Sequence, residues 1–183
     1  MQHEWRWSAA LREHQTAVRE FLAACGRIAP EAWQRATTPG KWTSAAVVLH
    51  VCRAYEFGRD AAARGESMRL KVSPSGALIS RMLILPVVLA THRFPRGARS
   101  PREVVPDAAE ASRLLPDLAV RRLHNVAAQA AEELQRAAAR RPVPRMTHAY
   151  FGPLAPLATL RLLTAHTVHH ARDLTRVASD QTL

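Results

Sequence analysis

Four long stretches of this chain repeat apolar residues at helical spacing, and none alternates apolar and polar residues as a half-buried strand does. An amphipathic helix must bury its stripe against another element, and four such helices fit one domain within 183 residues. The first runs from about Ser8, with Leu11, Val18, Phe21, Leu22 and Cys25 on one face, to a stop at Gly26. A turn around "APEAWQ" leads to "TTPGKWTS", where Pro39 and Gly40 reverse the chain and Thr43 or Ser44 offers a cap. The second helix runs from there to about Ala63, before Gly65. A third follows Asp107 with Leu115, Leu118, Val126, Ala130 and Leu134 in phase; Pro116 bends or restarts it, and "RRPVP" ends it. The loop "RMTHAYFGPLAP" connects to the last helix, whose stripe is Leu157, Leu160, Leu163, His170, Leu174 and Val177. Between the second and third helices, Glu66 to Pro106 is irregular. It holds "LISRMLILPVVLATH", a helix kinked or ended near Pro86, and then a Pro/Arg/Gly loop. The expected fold is all-α: a single-domain four-helix bundle over residues 1–183, with a long connection between the second and third helices.

Composition narrows the functional classes. With 48% hydrophobic and 22% charged residues the chain reads as a soluble globular protein. The N-terminal "MQHEWRWSAALREH" has no unbroken apolar core and does not read as a signal peptide. The most apolar run, "ALISRMLILPVVLA", is interrupted by Arg81 and Pro86 and falls short of the roughly 20 residues of a span. A cytoplasmic protein without a membrane partner is expected. Cys25 and Cys52 lie in helical stretches without paired spacing, so buried free thiols are expected rather than a disulfide or a zinc motif. The formal net charge is +11, but the arginines are scattered from Arg6 to Arg176 and lysine occurs only at Lys41 and Lys71. Dense basic blocks interleaved with aromatics are missing, which argues against nucleic acid. The nearest feature is the basic loop "THRFPRGARSPRE", Thr91 to Glu103, which could rim a site and draw anions toward it or simply be solvated.

Three histidines fall within five positions of the last helix. His166 and His170 are four apart and share a face, one turn after Leu163 and one turn before Leu174. His169 is rotated away, beside Leu162, Arg172 and Arg176, and is expected at a helix boundary or in solvent. On the second helix His50 breaks the apolar run Ala45 to Val51, and its helical neighbours Ala46, Val47 and Ala54 turn it toward the core. An imidazole there needs a partner. Cys52 is rotated from it by about 200°, and Glu56 also points elsewhere. These spacings fit either a metal site or hydrogen-bonded core histidines. Trp5, Trp7, Trp33, Trp42 and Tyr55 could line a pocket or close the core.

The pairing of "WTSAAVVLH", Trp42 to His50, with "HTVHH", His166 to His170, resembles the DinB-like (YfiT-like) metalloenzyme superfamily of four-helix bundles. There a "W-[ST]-x-x-x-x-x-x-H" segment opens the second helix and "H-x-x-x-H" or "H-x-x-H-H" lies on the last. "FGPL", Phe151 to Leu154, is similar to one branch of it. The resemblance covers the whole chain in helix order. It implies His50, His166 and His170 as ligands of a divalent metal, zinc, nickel or another. A Gln often follows the last ligand by three residues; here Asp173 stands there, able to orient His169 or His170 or to pair with an arginine.

Three neutral imidazoles leave an open coordination position, as in catalytic zinc sites, and do not identify the metal. The resemblance further implies a small-molecule substrate and a transferase or isomerase using a low-molecular-weight thiol as co-substrate. A metal-dependent hydrolase is the alternative enzyme, although no general base is evident near the site. The other class is a non-catalytic bundle, a homodimer among its forms, that binds metal or a small ligand.

Overall fold

A computed structural model describes residues 2–36, 40–95, 97 and 99–179. Helix α1 spans Gln2–Gly26, α2 Pro30–Trp33 and α3 Ser44–Arg64. Within the connection lie α4 (Pro74–Ile79), a π turn (Ser80–Ile84), α5 (Leu85–Thr91) and a 3-10 turn (Arg102–Val104). Then come α6 (Ala108–Arg113), α7 (Pro116–Ala139), strands β1 (Met146–His148) and β2 (Gly152–Leu154), and α8 (Pro156–Ser179). The chain is predominantly helical, with α1, α3, α7 and α8 enclosing the main core.

Local chemistry accounts for the boundaries. Thr43 caps α3 by accepting from the Ala46 amide at 3.2 Å, and Gly65 ends the helix with φ +78°. Asp107 caps α6 through the Glu110 amide at 2.8 Å, and Pro116 opens α7 where a missing N–H costs nothing. Of the expected N-terminal turn of α3, Gly40 has φ +77°, whereas Pro39 lies outside the described residues.

Several expectations change or are refined. Helix α1 begins at Gln2 rather than near Ser8, because Trp7, only 4% exposed, extends the buried stripe one turn back. The third helix restarts at Pro116, one of the two outcomes expected there: the chain extends at Leu114 and Leu115, in keeping with the restriction proline places on the residue before it. Leu115 is the cap outside α7, and Leu118 stands about 80° around the helix from Val126, so both are exposed; Ala119, Leu123, Val126, Ala130 and Leu134 are the buried stripe. Of the two outcomes expected near Pro86, the helix does not end there. The π turn before it, with Leu85 N–H donating to the Ser80 carbonyl, carries the helix past the proline. Finally, β1 and β2 form a two-stranded antiparallel hairpin where no strand was expected; three residues a side are too few to show alternation.

The hairpin and the connection hold each other. Met68 N–H donates to Thr147 O at 2.9 Å and Lys71 N–H to Ala149 O at 2.8 Å. Leu85 and Val88 pack with Phe151, Leu154, Leu162 and Ala165, a second core on the outer side of α8. By length and composition the stretch Pro74–Thr91 is apolar enough to cross a membrane, contrary to the sequence estimate. Cys25 and Cys52 are buried and free, and burial pushes both thiols up to about 12.

Candidate metal centre

Helix α3 delivers His50 two turns after its cap, between Leu49 and Val51, which are fully buried. His50 itself is 3% exposed, and its Nδ1 lies 2.7 Å from the Val104 carbonyl of the 3-10 turn. A carbonyl only accepts, so Nδ1 carries the proton and Nε2 presents a bare lone pair. The Trp42 ring covers the imidazole at a centroid distance of 4.7 Å.

Helix α8 supplies the other two rings. His166 Nε2 is 2.9 Å from His50 Nε2 and 3.1 Å from His170 Nε2. Asp173 Oδ2 stands 3.3 Å from His170 Nδ1, at ion-pair distance though without hydrogen-bond alignment, and favours the proton on that nitrogen. Two bare Nε2 atoms, on His50 and His170, therefore face the single Nε2 of His166. One N–H cannot satisfy both with good geometry, and without it three lone pairs oppose one another. A shared cation resolves the conflict. Nitrogens bound about 2.0–2.1 Å from one tetrahedral ion stand roughly 3.3 Å apart, so small ring shifts would open the space. The three residues form a group that could hold a metal ion.

The electrostatics agree with that use. Burial is the main cause that lowers His50 to about 4, followed by the neighbouring His170; its bond to Val104 opposes the shift. His166 is pushed well below the ordinary value, again chiefly by burial and then by His170 and His50. Although its outer edge is partly exposed, the surrounding protein is dense enough for burial to dominate. Both rings are neutral ligands near pH 7, and no proton has to be displaced before they can bind a cation.

The supporting contacts come from all around the site. Tyr55 and Thr167 hydroxyls lie 2.8 Å apart and join α3 to α8. Gly58 lets the two helices approach: a Cβ there would meet Leu163 Cδ1 at 3.0 Å. Arg53, one turn past His50, donates to the Val105 carbonyl and pairs with Glu110 at 2.6 Å. It thus pins the turn whose Val104 carbonyl orients His50. Arg172 donates to His92 O at 3.0 Å and Thr91 O at 3.2 Å, fastening the end of α5 to α8. Phe94 then meets the rings of His166 and His169 at 5.7 and 5.4 Å.

His50, His166 and His170 are brought together, and Cys52 and Glu56 are not. Glu56 pairs with Arg122 at 2.9 Å. The expectation for His169 is corrected: it sits within α8, half-buried, because Phe94 from the connection covers that side. It is outside the three-histidine group but forms a second possible cluster with His170 and Asp173. Asp173 accepts from Arg176 Nη1 at 2.8 Å, the arginine pairing that was anticipated, and stands beside His170 and 3.9 Å from His169 Nε2. Of the five aromatics named from the sequence, Trp7, Trp33 and Tyr55 close the core, Trp5 is exposed, and Trp42 touches the site. Sequence reasoning missed Val104, Arg53 and His148. The last stacks on Phe151 at 4.8 Å and contributes to lowering His166. A backbone acceptor leaves no side-chain signature; Arg53, three residues after His50, had a positional one.

No curated protein and no solved structure matches the chain. The family model described as DinB superfamily matches residues 10–174, which include α3, α8 and all three convergent histidines. The chain belongs to the DinB superfamily.

Proposed function

We propose that this protein is a metal-dependent enzyme, a thiol-dependent S-transferase or isomerase, in which His50, His166 and His170 hold a divalent ion. In this reading α1, α3, α7 and α8 are the four-helix bundle of the family and residues 66–106 its long connection. The observation that carries it is the meeting of three Nε2 atoms, two of them bare because Nδ1 is engaged by Val104 O or faces Asp173. A divalent ion held by three imidazoles would supply an open coordination position at which a thiol ionises.

The chain's own groups divide the remaining work. Val104 and Asp173 orient the rings, and Trp42 and Phe94 wall the site on two sides and exclude water. The basic loop that carries Phe94 favours an anionic thiol or small-molecule substrate. Cys25 and Cys52, free and buried, fit a reducing cytoplasm in which such a thiol is plentiful. A hydrolase would need a base free to accept a proton from water. Glu56 is committed to Arg122, and Asp173 to Arg176 and the His170 side of the site.

Cobalt-substituted protein titrated with glutathione or N-acetylcysteine tests the reading. A sulfur-to-metal charge-transfer band should appear and be lost in His166→Ala, and an electrophilic acceptor should be consumed only when thiol is present. A spectrum indifferent to thiols, with ester hydrolysis instead, would select the hydrolase. Indifference to both would leave a bundle that binds metal or a small ligand.

A further inference from the structure

The helical stretch Pro74–Thr91 is 18 residues long, yet only 17% of it is buried. Its large side chains divide cleanly. Ala77, Leu85 and Val88 face the protein, and Leu78, Ile79, Met82, Leu83, Ile84 and Val87 are exposed. Within the outward set Leu78 and Ile79 recur four residues on as Met82 and Leu83, Ile84 adjoins them and Val87 follows Leu83 by four, so it forms one continuous stripe on the helix surface. Met82 and Leu83 are 67% and 65% exposed, in a protein whose other helices bury their apolar faces. A contiguous exposed stripe of this kind marks an interaction surface.

Charge identifies what covers it. From Ser67 to Arg102 there is no Asp or Glu, while seven residues are Lys or Arg. Arg69 and Lys71 precede the helix, and Arg93, Arg99 and Arg102 follow it; all five are exposed. Lys71 Nζ donates to Ser100 O at 2.6 Å, so the chain leaving the helix returns beside the chain entering it, and the basic flanks are gathered together. An apolar stripe framed by basic residues is the pattern of a helix lying in a lipid interface, its side chains among acyl chains and its cations at anionic headgroups. A second copy of this chain fits poorly, because each would bring a net basic flank to a partner of like sign, even with Glu103 at the Arg69 amide and Glu13 at His92. A transmembrane course is excluded by the inner face: Leu85 and Val88 pack on the hairpin and α8, and Arg81 Nη1 donates to Pro153 O at 2.9 Å.

We propose that the exposed face of Pro74–Thr91 docks this protein on an anionic lipid surface, the helix lying in the interface plane. The proposal is independent of the metal reading. The full chain should co-sediment with vesicles of phosphatidylcholine containing phosphatidylglycerol and not with phosphatidylcholine alone. Met82→Ser/Leu83→Ser changes no charge and removes no core residue, and should cut the bound fraction about tenfold. A fluorophore on Met82→Cys should shift to the blue on the anionic vesicles, the native thiols being buried. Undiminished binding by the serine variant, with no blue shift, would overturn the proposal in favour of charge attraction alone. Absence of vesicle binding, with a wild-type dimer that the serine variant makes monomeric, would overturn it in favour of a second copy.

Discussion

His50 Nε2 and His166 Nε2 stand 2.9 Å apart although 116 residues separate them in the chain. Each ring is directed by a different neighbour. The Val104 carbonyl turns the first, and the helical face shared with His170 turns the second. The contact therefore joins α3, α8 and the connection at one point, and the stability of that point depends on what the nitrogens hold.

Removing the metal should lower the melting temperature. A ligand that binds only the folded state, free at a hundredfold above its Kd, adds about 2.7 kcal/mol. For a chain of this length that corresponds to roughly 5–10 °C. Chelator should shift the wild type by that order and leave His50→Ala unmoved, as scanning calorimetry would show. Equal shifts in both proteins would place the stabilising metal elsewhere.

Acid should destabilise the protein through its buried imidazoles. His14 is 3% exposed, burial lowers it to about 4, and among the described residues its Nε2 has no hydrogen-bond partner. Its folded pKa lies below the unfolded value of 6.5, so the unfolded chain binds the extra proton as pH falls. The loss of stability should begin near the unfolded value and be complete below the folded one, at most on the order of 3 kcal/mol for this residue. Denaturant titrations of His14→Phe should show a shallower fall across that window. A slope identical to that of the wild type would mean that His14 is solvated.

Arg53 should act on the site without touching it. Through the Val105 carbonyl and Glu110 it fixes the turn that orients His50. Arg53→Met should weaken metal affinity by about 10- to 100-fold, the usual cost of losing an orienting partner. Competition with a chromogenic chelator measures this, and Arg53→Lys should recover part of it. Full affinity in Arg53→Met would show that Val104 is held without it.

Gly58 sets how closely α3 meets α8. The Cβ of Gly58→Val would stand 3.0 Å from Leu163 Cδ1, an overpacking that should cost about 1–3 kcal/mol. The double variant with Leu163→Ala should regain part of it. Strictly additive losses in a double-mutant cycle would mean that the two positions do not press on each other.

Much of this was legible in the sequence because it rests on periodicity. The apolar stripes located the long helices, the Thr43 cap located the start of α3, and i, i+4 spacing put His166 and His170 on one face. What stayed hidden depends on long-range pairing. The hairpin at 146–154 is stabilised by the connection it binds, not by its own pattern. Leu118 is exposed because Ala119, seven residues before Val126, lies on the buried face and its larger neighbour does not, a one-residue difference in phase that apolar character alone does not reveal. Val104 acts through its backbone, which any residue would offer, so its part in the site could not be read from the side chain. Phe94 was visible only as a member of a basic loop, and its approach to the rings depends on Arg172 holding His92.

The most direct test is metal stoichiometry by elemental analysis of untagged protein, wild type beside four single variants. The wild type should carry one divalent ion per chain, and His50→Ala, His166→Ala and His170→Ala should each lose it. His169→Ala should keep it. Retention of the ion by His50→Ala with loss in His169→Ala would contradict the account and move the ion to the cluster of His169, His170 and Asp173.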